Sequence, residues 1–426
     1  MQNRNYNKNN DKRNIAAANA AAARVDRAVY DALKSVFSDG AFCARALTDA
    51  LKSLDNERSH AFVTSAFYGV LDNNVRFEKL ISGLCEKAPD KNSSVVLKIG
   101  LFYLHYADMP PYAAVNRVVE LAKTAGAYSG FINAVLKRSV GFKPKFDNSL
   151  DEFSYAHNAP QWLCKLLIAD YGERRAAEIL DAKLPEKTHI RPVKGRISDD
   201  EFISIARGLE LTDCGCYCDK AALSRFDTGT YAVLSLSSAR AVKTYINGVS
   251  SGKALDLCAA PGGKSIYLSE LGDFKITSCD IYPHKIELMR GYAKKLGAKL
   301  NIVLNDATQK NDAFLNAFDL VVADCPCSGT GTLKTKPDVM IKRKPADLND
   351  LCALQDKILD TSASYCRLNG VLCYSTCSIL KCENEDTVKR FLSRRDDYEL
   401  MDETKFLPDT DKCDGFYIAR MKRVKQ

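Results

Sequence analysis

The sequence predicts three successive architectures: an all-α bundle, a small α+β segment, and an α/β domain on a doubly wound parallel sheet. Three observations carry this. Residues 15–140 place apolar side chains at helical spacing among strong helix formers. Residues 186–240 mix short strand-like and helical patterns. From Lys253 onward, short apolar runs alternate with helical stretches, as strands joined by crossover helices do.

In chain order, residues 1–14 (MQNRNYNKNNDKRN) are polar and Asn-rich. They lack the apolar core of a signal peptide and read as a disordered tail. IAAANAAAARVDRAVYDALKSVF opens the bundle, and the segments HAFVTSAFYGVL, VRFEKLISGLCEK, SVVLKIGLFYLHYAD, YAAVNRVVELAKTAG and SGFINAVLKRSV continue it. Roughly six helices are expected, with Pro110-Pro111 breaking two of them. Residues 141–185 read as a helical linker, beginning GFKPKFDNSL and containing PQWLCKLLIADYG. In residues 186–240, KTHIRPV and TYAVLSLS read as strands around the helix DDEFISIARGLEL. In residues 241–426, ALDLC, FKITSCDI, KLNIVLND, FDLVVADC and GVLCYST are the expected sheet strands.

The bulk composition limits the function classes. The chain is 46% hydrophobic and 27% charged, an ordinary globular balance, so the core needs no staples. Sixteen cysteines without a secretory signal read as buried thiols in a reducing, cytoplasmic setting, not as a disulfide scaffold. No apolar run reaches membrane-spanning length. The net charge of +8 is compatible with a nucleic-acid partner but does not demand one.

Ligands of such sheets bind at the carboxyl ends of the strands, and every motif here falls at such an end. The corner LDLCAAPGGKS (255–265) joins a strand to a helix. Glycines there let backbone approach a ligand, and the helix start favours negative charge. A P-loop would need glycine where Cys258 stands, and G-x-G-x-x-G is absent. A nucleoside-type ligand such as S-adenosylmethionine and a bare strand–helix turn both remain open. Asp280 at the second strand end is placed to accept from ribose hydroxyls, and Asp306 at the third to meet an adenine edge. Singly, each would read as a helix cap. The fourth strand delivers Asp324 and then CPCSGTG; the fifth delivers Ser375-Thr-Cys-Ser378. If those strands are neighbours, Cys327 and Cys377 share one pocket.

Together DLCAAPGGKS, ADCPCSGTG and CYSTCS resemble the motifs of the RNA cytosine-C5 methyltransferases. IGLFYLHYADMPPYAAVNRVVELAK and GFINAVLKR resemble a NusB-like RNA-binding domain, YAHNAPQWL the segment after it, and CDGFYIARMKR the closing strand. The arrangement is similar to the RsmB (Sun/Fmu) group, which acts on 16S rRNA, and the likeness covers nearly everything beyond the N-terminal tail. It implies a Rossmann-like S-adenosylmethionine-dependent methyltransferase domain on residues 241–426, preceded by a NusB-like bundle on residues 15–140. It implies S-adenosylmethionine as cofactor and 16S rRNA as partner, with no membrane or metal partner and a monomeric enzyme. Methyl transfer to a tRNA cytosine, or a non-catalytic RNA-binding role, are the alternatives.

Cytosine C5 is a poor nucleophile until a thiolate adds at C6. The site therefore calls for a low-pKa cysteine, a group on the base edge and a proton acceptor. By resemblance Cys377 is the nucleophile, and Cys327 promotes release from the methylated base. Asp324 contacts the cytosine edge, the methionine end of the cofactor, or both. Cys258, Ala259, Ala260, Pro261, Gly262, Gly263 and Lys264 form the cofactor loop, with Asp280 at the ribose and Asp306 at the adenine.

Some positions depart from the family pattern. Cys325 stands where Ala or Val is usual and is expected to be a small core residue. VLSLSSAR, around Ser235, lacks the usual Gln-Asp. Lys334-Thr335-Lys336 replaces an Arg-Arg pair, and HIRPV keeps Arg191 without its usual asparagine neighbour. These changes bear on peripheral RNA contacts. Cys214-Gly-Cys-Tyr-Cys218 lacks paired C-x2-C spacing and is read as a fortuitous cluster, not a zinc site. His105 and His157 are read as structural. Lys334, Lys336, Lys342, Arg343 and Lys344 form a basic group that suits either phosphate contact or a solvated face.

Overall fold

The computed structural model describes residues 2–425, with side chains from residue 18 onward. It divides into two compact units: residues 1–165 with 340–343, and residues 166–339 with 344–426. The segment read as a linker, 141–185, is therefore shared between them.

The first unit is helical. Its helices are Gln2–Asp39, Cys43–Leu51, Glu57–Asp72, Asn74–Leu84, Lys91–His105, Pro111–Ala125, Ser129–Ser139 and Ser149–Ala156. The first helix takes in the segment read as a disordered tail, whose side chains lie outside the described residues. Cys43–Leu51 is a helix the expected set lacked; its buried Cys43, Ala46 and Leu47 give it one short apolar face. Local chemistry sets several boundaries. Asn56 and Asp90 cap helix starts by accepting from the Ser59 and Ser93 amides, Pro111 occupies a first helical turn, and Gly126 ends that helix in the left-handed region. At the centre of the bundle, buried Asp26 accepts from Tyr103 Oη at 2.7 Å and from Arg117 Nε at 2.9 Å. This satisfies a charge that burial would otherwise make costly.

The second unit holds two sheets. The smaller has strands β1 (Thr188–Pro192), β2 (Glu210–Thr212), β3 (Gly215–Cys218) and β4 (Tyr231–Val233), antiparallel in the order β2-β3-β1-β4. Cys216 and Cys218 are two apart on β3 and so share a face. Both lie in this sheet's core, whereas Cys214 precedes the strand and packs in a different cluster with Tyr217. No group of three metal-ligating side chains occurs among the described residues.

The larger sheet contains β5 (Ser251–Asp256), β6 (Asp273–Asp280), β7 (Asn301–Leu304), β8 (Phe318–Asp324), β9 (Cys366–Thr376), β10 (Tyr398–Phe406) and β11 (Phe416–Arg423). The order is β10-β11-β9-β8-β5-β6-β7. Five strands are parallel as expected. The sheet is nonetheless mixed, because β10 and β11 join its edge as an antiparallel pair. β10 was not anticipated: its sequence YELMDETKF is mostly exposed or half-exposed and lacks an apolar run. Strand alternation buries both faces: Leu255, Val321 and Leu372 face one core, and Ala254, Leu320 and Val371 the other. The chain runs outward from β5 through β6 to β7 and then restarts at β8 on the other side. The gap between the β5 and β8 carboxyl ends is the topological switch point, where ligands of such sheets bind.

Candidate active site

The β5 end turns sharply into the helix Gly263–Leu271. Gly262 makes this turn at φ +102°, a region that L side chains rarely adopt. The corner is tied to the next strand by the Ala259 amide on the Cys279 carbonyl at 2.8 Å, and Gly262 closes back on Ala259 at 2.7 Å. Cys258, Ala259, Ala260 and Pro261 thus line a backbone-rich corner, with burial pushing the Cys258 thiol well up. Buried Asp256 accepts from Ser265 Oγ at 2.6 Å, while its other oxygen has no hydrogen-bond partner. Burial raises its pKa to about 6. Lys264 pairs with Asp324 at 2.7 Å. Burial alone would pull the Lys264 pKa down, but Asp324 and then Asp256 outweigh it and keep the ammonium charged.

Asp280 ends β6 and is held by the Tyr282 amide at 3.1 Å and by Lys285 at 3.3 Å. Ile281 and Tyr282 follow it, half exposed, as apolar surface beside the carboxylate. Asp306 sits two residues beyond β7, not at its end. One of its oxygens takes both the amide and hydroxyl of Thr308, at 2.9 and 2.7 Å. An orphaned buried acceptor on Asp256, carboxylates at three strand ends and an apolar step beside Asp280 suit a cationic nucleoside. The residues present fit S-adenosylmethionine.

β8 and β9 are adjacent and parallel, with Asp324 opposite Ser375. Ser375 donates to Asp324 at 3.0 Å and shares a 2.7 Å hydrogen bond with buried Tyr245. Just beyond the strands, the sulfurs of Cys327 and Cys377 lie 3.1 Å apart. Their titration is unequal. The S–H of Cys327 chiefly lowers the Cys377 pKa; burial and Asp324 oppose this, and Lys336 and Lys264 assist it. Cys327 is driven well above the usual thiol range, first by that same hydrogen bond and then by burial. Ionisation is therefore easier at Cys377 than at Cys327, whose S–H can donate to it. Cys325, between the motif's Asp and Pro, is buried in the sheet core, and its amide binds the Ser375 carbonyl at 2.8 Å.

Residues outside the motifs hold the two thiol loops together. Glu383 is fully buried and accepts from the Ser328 amide at 2.7 Å, Ser378 Oγ at 2.6 Å and Gln355 Nε2 at 3.0 Å. Ser328 follows Cys327 and Ser378 follows Cys377, so one carboxyl group braces both loops. Asn384 adds a hydrogen bond to the Ser378 carbonyl at 2.9 Å. Glycines clamp the other side. The Gly331 amide binds the Cys377 carbonyl at 2.9 Å, and the Gly415 amide binds the Gly331 carbonyl at 2.8 Å. A Cβ on Gly331 would stand 2.1 Å from the Gly415 oxygen. Nothing in their spacing marks Glu383, Gln355 or Gly415 as site residues; the one available signal was the nearness of Glu383 to YSTCS and the place of Gly415 within CDGFY.

Other candidates resolve differently. Arg191 is 1% exposed and pairs with Glu270 through two nitrogens, so it braces β1 and does not face RNA. Ser235 caps the helix Leu236–Tyr245, and Thr335 binds Asp414 at 2.9 Å. The basic group is not one patch. Lys334 donates to the Leu180 carbonyl and Lys342 lies 3.9 Å over the Phe42 ring, whereas Lys336 stays exposed. His157 packs on Phe153 in a tilted arrangement, with centroids 4.3 Å apart.

Known proteins resemble this chain over most of its length. Residues 244–422 match the family model for the 16S rRNA methyltransferase RsmB/F, and residues 23–140 match the NusB family. The chain is 28% identical to ribosomal RNA small subunit methyltransferase B of Xanthomonas campestris, covering 96% of this chain and all of that one. It is 28% identical to the probable ribosomal RNA small subunit methyltransferase B of Bacillus subtilis, covering 92% and 97% respectively. A crystal structure described as PH0851 superposes with a TM-score of 0.78 at 21% identity, over 94% of this chain and 99% of that one, which supports the fold. The strand-end thiols and carboxylates lie within the part of the chain that matches the 16S rRNA methyltransferase RsmB/F family model, and the helical bundle within the part that matches the NusB family.

Proposed function

We propose that this protein methylates C5 of a cytosine in 16S rRNA through a covalent bond from Cys377 to C6 of the base. The observation that carries the reading is the thiol pair itself: the sulfurs of Cys327 and Cys377 lie 3.1 Å apart just beyond the adjacent strands β8 and β9, and the pair eases ionisation of Cys377 over Cys327. S-adenosyl-L-methionine is the cofactor and, when bound, supplies an electrophilic methyl group. Asp256 and Lys264 hold its amino acid end, Asp280 its ribose and Asp306 its adenine.

The Cys377 thiolate adds to C6, which pushes electron density onto C5 and makes that carbon nucleophilic. Forming the C–S bond removes the negative charge that kept the proton on Cys327. Cys327 then becomes easier to ionise and gives its proton to water; the Cys327 thiolate takes the proton from methylated C5, the electrons of that C–H bond restore the C5–C6 double bond, and the Cys377–C6 bond breaks with its electron pair returning to Cys377. Asp324, fixed by Lys264 and Ser375, faces the base edge, the methionine end of the cofactor, or both. The NusB-family domain and exposed Lys336 contribute RNA contacts, and the enzyme works as a monomer in a reducing cytoplasm. The intact thiol pair favours an enzyme over a purely RNA-binding factor.

The test compares Cys327→Ala and Cys377→Ala on 16S rRNA with S-adenosylmethionine. Cys327→Ala should trap a denaturant-stable protein–RNA adduct, and Cys377→Ala should form none and transfer no methyl. Retained methylation in Cys377→Ala overturns the mechanism.

A further inference from the structure

A second pair of thiols lies outside the catalytic pair. Of the sixteen cysteines, five are not buried: Cys85, Cys258, Cys352, Cys377 and Cys382. Two of these five, Cys352 and Cys382, touch each other. Cys352 lies in the helix Pro345–Ala363 and Cys382 in the short turn Lys381–Glu383. As a thiol, Cys352 donates to the Cys382 carbonyl at 3.3 Å. The neighbouring Cys382 side chain eases ionisation of Cys352 against the opposing effect of burial, while the Cys382 thiol is itself pushed up. Two partly exposed cysteines on adjoining elements, with the sulfur of Cys352 3.3 Å from the Cys382 backbone and its ionisation eased, are the arrangement of an attacking and a resolving cysteine. The Cys216 and Cys218 pair on β3 is the contrast: both are buried and both pushed up.

We propose that Cys352 and Cys382 are a thiol–disulfide exchange site that reacts with a small-molecule disulfide and closes to an internal disulfide. The Cys352 thiolate attacks one sulfur of the small disulfide; its S–S bond breaks and one small thiolate leaves. Cys382 loses its proton to water and attacks Cys352 in the mixed disulfide, expelling the second small thiolate. Two protein thiols are oxidised and one small disulfide is reduced to two thiols, so the electrons balance.

The position gives this chemistry a consequence. Cys382 precedes Glu383, and Gln355 lies one helical turn from Cys352. Glu383 and Gln355 are the residues that brace the loops of Cys327 and Cys377. The bridge replaces the contact of Cys352 with the Cys382 carbonyl and pulls on that brace, so the oxidised protein transfers methyl more slowly. This last step rests on the proposed methyltransferase reading; the bridge itself does not.

The experiment equilibrates the full-length protein with oxidised glutathione, blocks residual thiols, and maps unreduced peptides by mass. The expected product joins the peptides of Cys352 and Cys382 with loss of two hydrogens, and is absent in Cys352→Ser. Failure to find the joined peptide overturns the site. Methyl transfer is then measured at equal modification of Cys377: wild type should lose about five-fold or more activity relative to Cys352→Ser, and regain it with a dithiol reductant. Equal loss in both proteins overturns the coupling. If no methyl transfer is seen even in reduced protein, the peptide map alone still decides the bridge.

Discussion

The Gly331 amide donates to the Cys377 carbonyl at 2.9 Å, so the loop after β8 grips the backbone that carries the thiol on the loop after β9. The grip has no room for a side chain, since a Cβ at Gly331 would lie 2.1 Å from the Gly415 oxygen and 2.8 Å from the Cys377 oxygen. Both obstacles are backbone and cannot rotate away. Gly331→Ala should therefore destabilise the protein by about 1–3 kcal/mol and reduce methyl transfer further than that loss of folded protein explains. Denaturant titration beside a methylation assay checks both.

Glu383 separates two kinds of substitution. Glu383→Gln keeps an oxygen for the Ser328 amide and offers its NH2 to serine hydroxyls that can turn to accept. Glu383→Ala leaves buried donors without any acceptor, a cost of about 1–3 kcal/mol for each such group. Urea midpoints should fall clearly for Ala and little for Gln. Equal midpoints would show that the carboxyl group braces nothing.

The thiol pair predicts a pH profile. The largest influence lowering the Cys377 pKa is the S–H of Cys327. Removing that donor in Cys327→Ala makes the thiolate less stable, so the Cys377 pKa rises. Alkylation of Cys377 by iodoacetamide should then move to higher pH and slow at about pH 7, near which an unperturbed thiol is mostly protonated. Peptide mapping isolates the rate at this one cysteine.

Asp256 predicts a stability trend of opposite sense to an ordinary paired carboxylate. Its folded pKa of about 6 exceeds the usual aspartate value, so the folded state binds more protons between the two values. Its contribution to stability is present at low pH and is lost as pH rises through about 6. Asp256→Asn removes this loss. The stability of the variant relative to wild type should rise by about 1–3 kcal/mol from about pH 4 to neutrality. A flat difference would place no raised carboxyl group at this position.

The strand-ends were legible because each chemical residue sits where a short apolar run stops. Asp280, Asp324 and Cys377 could be placed before any coordinates, and β8–β9 adjacency then brought the thiols together. The brace was not legible. Glu383 acts through burial and hydrogen bonds to Ser328 and Ser378, which depend on three distant segments meeting and leave no periodic trace. β10 escaped for the opposite reason: it is an edge strand with charges where a core strand has apolar residues. Arg191 and Lys342 looked like surface cations, but Glu270 in one case and the Phe42 ring in the other engage them.

The register of β8 on β9 also limits how the gene can change length. Asp324 lies opposite Ser375, and the two sulfurs follow three and two residues later. Strand side chains alternate, so one codon gained or lost within either strand, or in either short run to the thiol, would turn one sulfur away from the other. The connection from Lys334 to Tyr365 carries no such metric. Insertions and deletions should be tolerated there outside the helix bearing Cys352 and Gln355, and rejected in the few residues between each strand end and its cysteine.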